Sequence, residues 1–179
     1  TRSADERRYH LFAFGQEVCG DYIVVNKAKD SSALANVGLI LLDSYTGWIG
    51  AYPLIGRNCK SAIEALQHFR GLDHIDSFYS DNARELIASA RELKIPHSKS
   101  VPYRHTSNAV AEATNRKVIR MTRAAMETAG FPPGWWAYAM EYVTFLWNTS
   151  VHEGDSPWRR RHGSPWEDAK HPRPPFGSL

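Results

Sequence analysis

Cysteine is scarce in this 179-residue chain. The two present, Cys19 and Cys59, are too few for a disulfide framework or a four-ligand zinc site, and both stand beside segments with a buried pattern, so they read as reduced structural thiols. Long apolar runs are missing as well. The longest, residues 37–42 (VGLILL), suits a buried strand and falls far short of the ~20 residues a membrane helix needs, so no span is expected. A large charge of either sign is also absent: 22 Lys and Arg against 19 Asp and Glu leave +3, and that bulk field alone identifies no polyanion binder. No basic segment leads into an apolar stretch with a small-residue cleavage site, so no secretory signal is read. There is no internal repeat. The opening TRSADERR starts at Thr1 rather than at Met, which suggests a piece of something larger.

What is present has the balance of a globular protein, 42% hydrophobic and 23% charged, at a length that buries one proper core. Positive charge is concentrated locally. Arg104, Arg116, Lys117, Arg120 and Arg123 gather around one predicted helix, and Arg159, Arg160 and Arg161 form a second group in a predicted loop.

Periodicity gives the element order. After a polar lead over residues 1–15, strands are predicted at 17–25, 37–42 and 48–54, the middle one buried on both faces. Asn58 caps a helix carrying Ala62, Leu66 and Phe69 on one face, and Gly71 ends it. Residues 75–80 alternate like a strand and deliver Asp81. Asn82 with Glu85 resembles a capping box opening a second helix, which Pro96 stops, and a short strand follows near 97–101. A long helix is predicted over 107–128, with Val110, Thr114, Val118, Met121 and Ala125 in one arc and Asn108, Glu112, Asn115, Arg116, Arg120 and Arg123 opposite. Gly130 ends it, Pro132 and Pro133 start the next, and Trp136, Met140, Val143 and Trp147 stripe that helix's buried face. The core thus spans 16–150, and residues 151–179, rich in Pro, Arg and Trp, read as a loop segment. Trp135, Trp158 and Trp166 read as core or tail packing in preference to an assembly surface. Three strands joined as hairpins and then alternating helices and strands imply an α/β fold, a mixed sheet with helices on its faces.

Two acids are out of place in that pattern. Aspartate is rare in buried strands, because an unpaired carboxylate there costs several kcal/mol, yet Asp21 lies inside VCGDYIV and Asp81 ends IDSFYSD. If their strands are neighbours, the carboxylates converge and repel unless a cation lies between them. An oxygen-only site favours Mg²⁺ or Mn²⁺ over zinc, and Glu112, on a helix facing the same point, is the candidate third ligand of a two-ion site suited to phosphoryl chemistry. The arginines beside Glu112 would contact phosphates. The residues alone leave an alternative open: Asp21 and Asp81 as turn or capping residues, and Glu112 as an ordinary solvated helix residue.

Four segments in order, EVCGDYIV, LILLDSYTGWIGAYPL, FYSDNARELI and SVPYRHTSNAVAEATNRKVIRMTRAAM, resemble the catalytic core of retroviral and retrotransposon integrases, which are DDE polynucleotidyl transferases. The tail GSPWEDAKHPRPPFGSL resembles the segment after the core in copia-type elements. The resemblance implies an RNase H-like fold with a mixed five-stranded sheet flanked by helices. It implies Asp21, Asp81 and Glu112 as catalytic acids and ligands of two Mg²⁺ or Mn²⁺ ions. Asn82, Tyr103, Asn108, Asn115, Arg116 and Arg120 are implied as DNA contacts, with Asn82 beside the second acid. Asp43 matches no ligand position and is assigned to a turn.

The implied activity is metal-dependent 3′-end processing and strand transfer of element DNA into target DNA, by a homo-oligomer in the nucleus or an element particle, away from membranes. An RNase H-like nuclease and a domesticated DNA-binding relic are the alternatives. Two departures are plain. Only 30 residues lie between Asp81 and Glu112, about one and a half helical turns fewer than is usual in the family, and Ala109 stands where glycine is common. No His and Cys pairs of the family's amino-terminal zinc domain are seen.

Overall fold

In the computed structural model, which describes residues 11–25, 34–99 and 105–178, with the side chains of 99 and 105–108 excepted, five strands form a single mixed sheet. β1 (Val18–Val24), β2 (Val37–Asp43), β3 (Ile49–Leu54), β4 (Phe78–Ser80) and β5 (His97–Lys99) lie in the order β3-β2-β1-β4-β5. The first three pair antiparallel, while β4 runs parallel to β1 and β5 parallel to β4. The α-helices among the described residues are α1 (Cys59–Arg70), α2 (Arg84–Glu92), α3 (His105–Ala129), α4 (Trp136–Thr149) and α5 (Pro157–His162).

Alternation along the strands builds two cores. On one face Val18, Tyr22, Leu39, Leu41 and Phe78 pack with Leu66 and Phe69 of α1 and Leu86 of α2. On the other, Ile40, Leu42, Ile49 and Ala51 meet Val118 of α3 and Trp136 and Met140 of α4. All seven residues of β2 are buried, as expected for a strand covered on both sides. Gly20 leaves room for side chains of the two flanking strands: a Cβ there would lie 2.7 Å from the Phe78 ring and 2.9 Å from Leu41. Among the described residues no helix is long and apolar enough to cross a membrane.

The Asn58 cap forms as expected, its side chain accepting the Ser61 N–H at 2.8 Å. Four expectations need correction. The strand predicted over 75–80 enters the sheet only at Phe78, because Asp76 instead donates its N–H to the Gly15 carbonyl. The Asn82–Glu85 box does not cap α2. That helix starts at Arg84 behind Ala83, with no side-chain cap, because the Asp81 carboxylate accepts the Ala83 N–H at 3.1 Å in an Asx turn. The buried arc of α3 is rotated: Val110 is 41% exposed, while Asn115 is buried along with Thr114, Val118 and Thr122.

The segment after Val151 is not all loop either. Ser156 caps α5 by accepting the Arg159 N–H, Pro157 occupies the first turn, and Gly163 ends it in the left-handed region, a start and stop that sequence alone supplies. Arg159 and Arg160 are exposed on this helix. Arg161 turns inward, 2.9 Å from both Asp73 and the Arg70 carbonyl, with its guanidinium 3.7 Å from the Phe14 ring centre and 4.7 Å from that of Trp48. Trp158 and Trp166 are half-buried and meet edge to face at 4.6 Å, which is tail packing. Trp135 stays 38% exposed.

Candidate active site

The parallel pairing of β1 with β4 decides where the acids go. Gly20 lies opposite Ser80, so the next residue on each strand, Asp21 and Asp81, stand side by side at the carboxyl end of the pair, where neighbouring strands are about 4.8 Å apart. Asp21 projects toward the face covered by α3. One of its carboxylate oxygens accepts the Tyr22 N–H at 2.8 Å, and the other accepts the Asn115 side-chain N–H at 2.7 Å. Burial pushes the Asp21 carboxyl above its ordinary 3.8. The Tyr22 N–H opposes the rise, the negative charge of Asp81 adds to it, and Asn115 and Arg57 oppose it. Two carboxylates are therefore held close with incomplete compensation, which is the electrostatic condition that a cation relieves.

Glu112 is on α3, one turn before Asn115. Since Asn115 is bonded to Asp21, Glu112 lies about 4.5 Å further along the helix axis from that contact. Its exposed carboxylate sits 3.7 Å from the Arg116 guanidinium. Among the described residues no group of three His, Cys, Asp or Glu side chains is close enough to share one metal ion. The fold thus brings Asp21 and Asp81 together and α3 alongside, with Glu112 turned toward Arg116. The donors fit a hard divalent ion: they are all oxygens, and the first two already repel one another.

The other predicted contacts separate. Asn82, Arg116 and Arg120 are exposed around the acids' end of the sheet and along α3. Asn115 is an internal partner of Asp21 and is only 9% exposed. Tyr103 and the side chain of Asn108 lie outside the described residues. Asp43 behaves as assigned. Fully buried, it accepts the Thr46 N–H and hydroxyl with one oxygen and the Gly15 N–H with the other, at the end of β2 opposite the acid site.

Two features had no sequence signal. Arg57, on the loop between β3 and α1, holds its guanidinium 5.0 Å from the centre of the Tyr22 ring. A groove of about 740 Å³ runs along the edge strand β3 between α1 and α4, lined among others by Trp48, Ala51, His68, Glu141 and Phe145. None of the three acids borders it. At its start the Asn148 amide bonds both the N–H and the carbonyl of Ile49, closing part of the free edge.

Solved structures match this architecture over most of the chain. A chain in the cryoEM structure of a simian T-cell lymphotropic virus intasome, in complex with PP2A regulatory subunit B56 gamma, aligns with a TM-score of 0.67 at 19% identity, covering 87% of this chain and 56% of that one. The catalytic core domain of BIV integrase aligns with a TM-score of 0.61 at 14% identity, covering 81% of this chain and 92% of that one. This chain therefore spans little more than half the length of the first. At such identities the likeness is one of fold. No protein-family model and no curated protein matches the sequence. The fold is RNase H-like, a mixed five-stranded sheet flanked by helices, as in retroviral integrase catalytic cores.

Proposed function

We propose that this chain is the catalytic core of a retroelement integrase, a DDE-type polynucleotidyl transferase that processes the 3′ ends of element DNA and joins them to target DNA. The observation that carries this reading is the β1–β4 register, which sets Asp21 beside Asp81 while Asn115 ties α3, and with it Glu112, to Asp21. When bound, two Mg²⁺ or Mn²⁺ ions supply the positive charge that an in-line phosphodiester displacement needs on its attacking and leaving oxygens.

The chain's own residues prepare for that chemistry. Asp21, Asp81 and Glu112 are the ligands. Asn115 and the Tyr22 N–H fix the Asp21 carboxylate in one orientation, so little reorganisation remains when substrate arrives. For Glu112 to join, its solvent-exposed side chain must first leave Arg116, which costs little because an exposed ion pair is worth at most about 1 kcal/mol. In the first reaction water attacks a phosphodiester near the element's end, and the strand beyond departs, leaving a 3′-hydroxyl. In the second that hydroxyl attacks a target phosphodiester, expelling a target 3′-hydroxyl. Positioning and charge do the work, with no covalent enzyme intermediate. We place the reactions in a homo-oligomer, in the nucleus or an element particle, with Asn82, Tyr103, Asn108, Arg116 and Arg120 on the DNA.

The Glu112–Arg116 pair favours one second reading, a DNA-binding relic that no longer gathers its acids. Incubation with a labelled, pre-cleaved DNA end and Mn²⁺ separates the possibilities. Integrase activity yields products longer than the donor, which disappear in Asp21→Asn, Asp81→Asn and Glu112→Gln. A simple nuclease yields only shorter products, and a relic binds the DNA and yields neither.

A further inference from the structure

We infer that Arg57 is a DNA-phosphate contact of the acidic site, one that the sequence motifs do not include; the inference rests on the integrase reading above. The sheet geometry places it. Val24, Val37 and Leu54 align across β1, β2 and β3, so the loop leaving β3 emerges at the same end of the sheet where β1 runs on past Asp21. Asp81 leaves β4 at that end too, since β4 is parallel to β1. Arg57 belongs to this loop and is exposed.

The described residues around it leave the guanidinium's donors open. It lies over the face of Tyr22 at 5.0 Å, a cation–π arrangement that orients the planar group without consuming its N–H donors. Among the described residues Arg57 takes part in no hydrogen bond or ion pair, although its charge is felt by both Asp21 and Tyr22. No acidic side chain in the first turn of α1 competes for it. An arginine with open donors at the rim of two carboxylates is suited to an anion that the carboxylates alone would repel. A DNA phosphate fits both its charge and its fork-shaped donor set. Arg120, another exposed arginine, lies on α3, which covers the other face of the sheet.

The test is the salt dependence of binding to a short DNA duplex in EDTA buffer, where metal plays no part. Neutralising one phosphate contact lowers the slope of log affinity against log salt by about 0.9. Arg57→Gln is expected to show that loss and Arg57→Lys to keep the wild-type slope. Arg57→Glu is expected to bind more weakly than Arg57→Gln, all three melting with the wild type. If the wild type binds DNA and Arg57→Gln matches it in slope and affinity, the inference is overturned and the integrase reading stands. If the wild type binds no DNA, that reading fails and this inference falls with it.

Discussion

Asp21, half-buried, and Asp43, fully buried, are two aspartates of one sheet whose surroundings treat the carboxylate differently. Folding raises the Asp21 carboxyl above its ordinary value, with burial the largest cause. The folded state then holds the proton more tightly than the unfolded one, so stability from this group is present below pH 3.8 and is lost as pH rises through the raised value. Asp21→Asn should therefore raise the melting temperature at pH 7 in metal-free buffer while removing activity, and the gap should close as pH falls toward 3.8 in thermal scans. Burial raises the Asp43 carboxyl too, but three donors from Thr46 and Gly15 satisfy it. Asp43→Ala strands two buried backbone N–H groups, at roughly 1–3 kcal/mol each, and should lose on the order of 3 kcal/mol in urea denaturation. The sequence distinguished these two acids, because Asp43 opens a turn-rich DSYTG and Asp21 interrupts an apolar strand. Asn115 was not legible. Helical spacing put it among the solvent-facing residues, and only the carboxylate opposite, 94 positions earlier in the chain, draws it inward.

At the scale of elements, long periodic segments were legible and short ones were not. β2 is a continuous apolar run and α1 has a capping Asn and a terminating Gly, so local chemistry and tertiary burial agree. The six-residue α5 is too short to show a period, and the burial of Arg161 is set by Phe14, Trp48 and Asp73 from remote parts of the chain. This arginine joins the segment before β1, the end of α1 and the tail. Arg161→Ala should cost about 2 kcal/mol through lost packing, ring contacts and the pairing with Asp73. Arg161→Lys should recover little of it, because an ammonium lacks the planar fork that reaches Asp73 and the Arg70 carbonyl while lying against two rings. Chemical denaturation of the two variants checks both outcomes, and equal recovery by Lys would show that charge alone matters. The stretch between Asp81 and Glu112 also belongs here: α2 has nine residues, and β1 contacts both β4 and α3.

For the molecule as a whole, the sheet order puts the proposed chemistry at one end and Asp43 with the tail helix at the other, so the proposed DNA contacts and the structural staple occupy different surfaces. The mixed sheet with helices on its faces was readable from three hairpin strands followed by alternating helices and strands, whereas its RNase H-like character was legible only through the resemblance of four segments to integrase cores. The groove along β3 was not, since it arises where α1 and α4 diverge over an edge strand and no motif marks it. The central claim is that Asp21, Asp81 and Glu112 jointly hold divalent cations. The most direct measurement is the anomalous scattering of Mn²⁺ soaked into crystals of the chain. The account predicts Mn²⁺ between Asp21 and Asp81, with Glu112 turned from Arg116 into the coordination sphere. Saturating Mn²⁺ bound elsewhere, or between the aspartates with Glu112 still on Arg116, would contradict it.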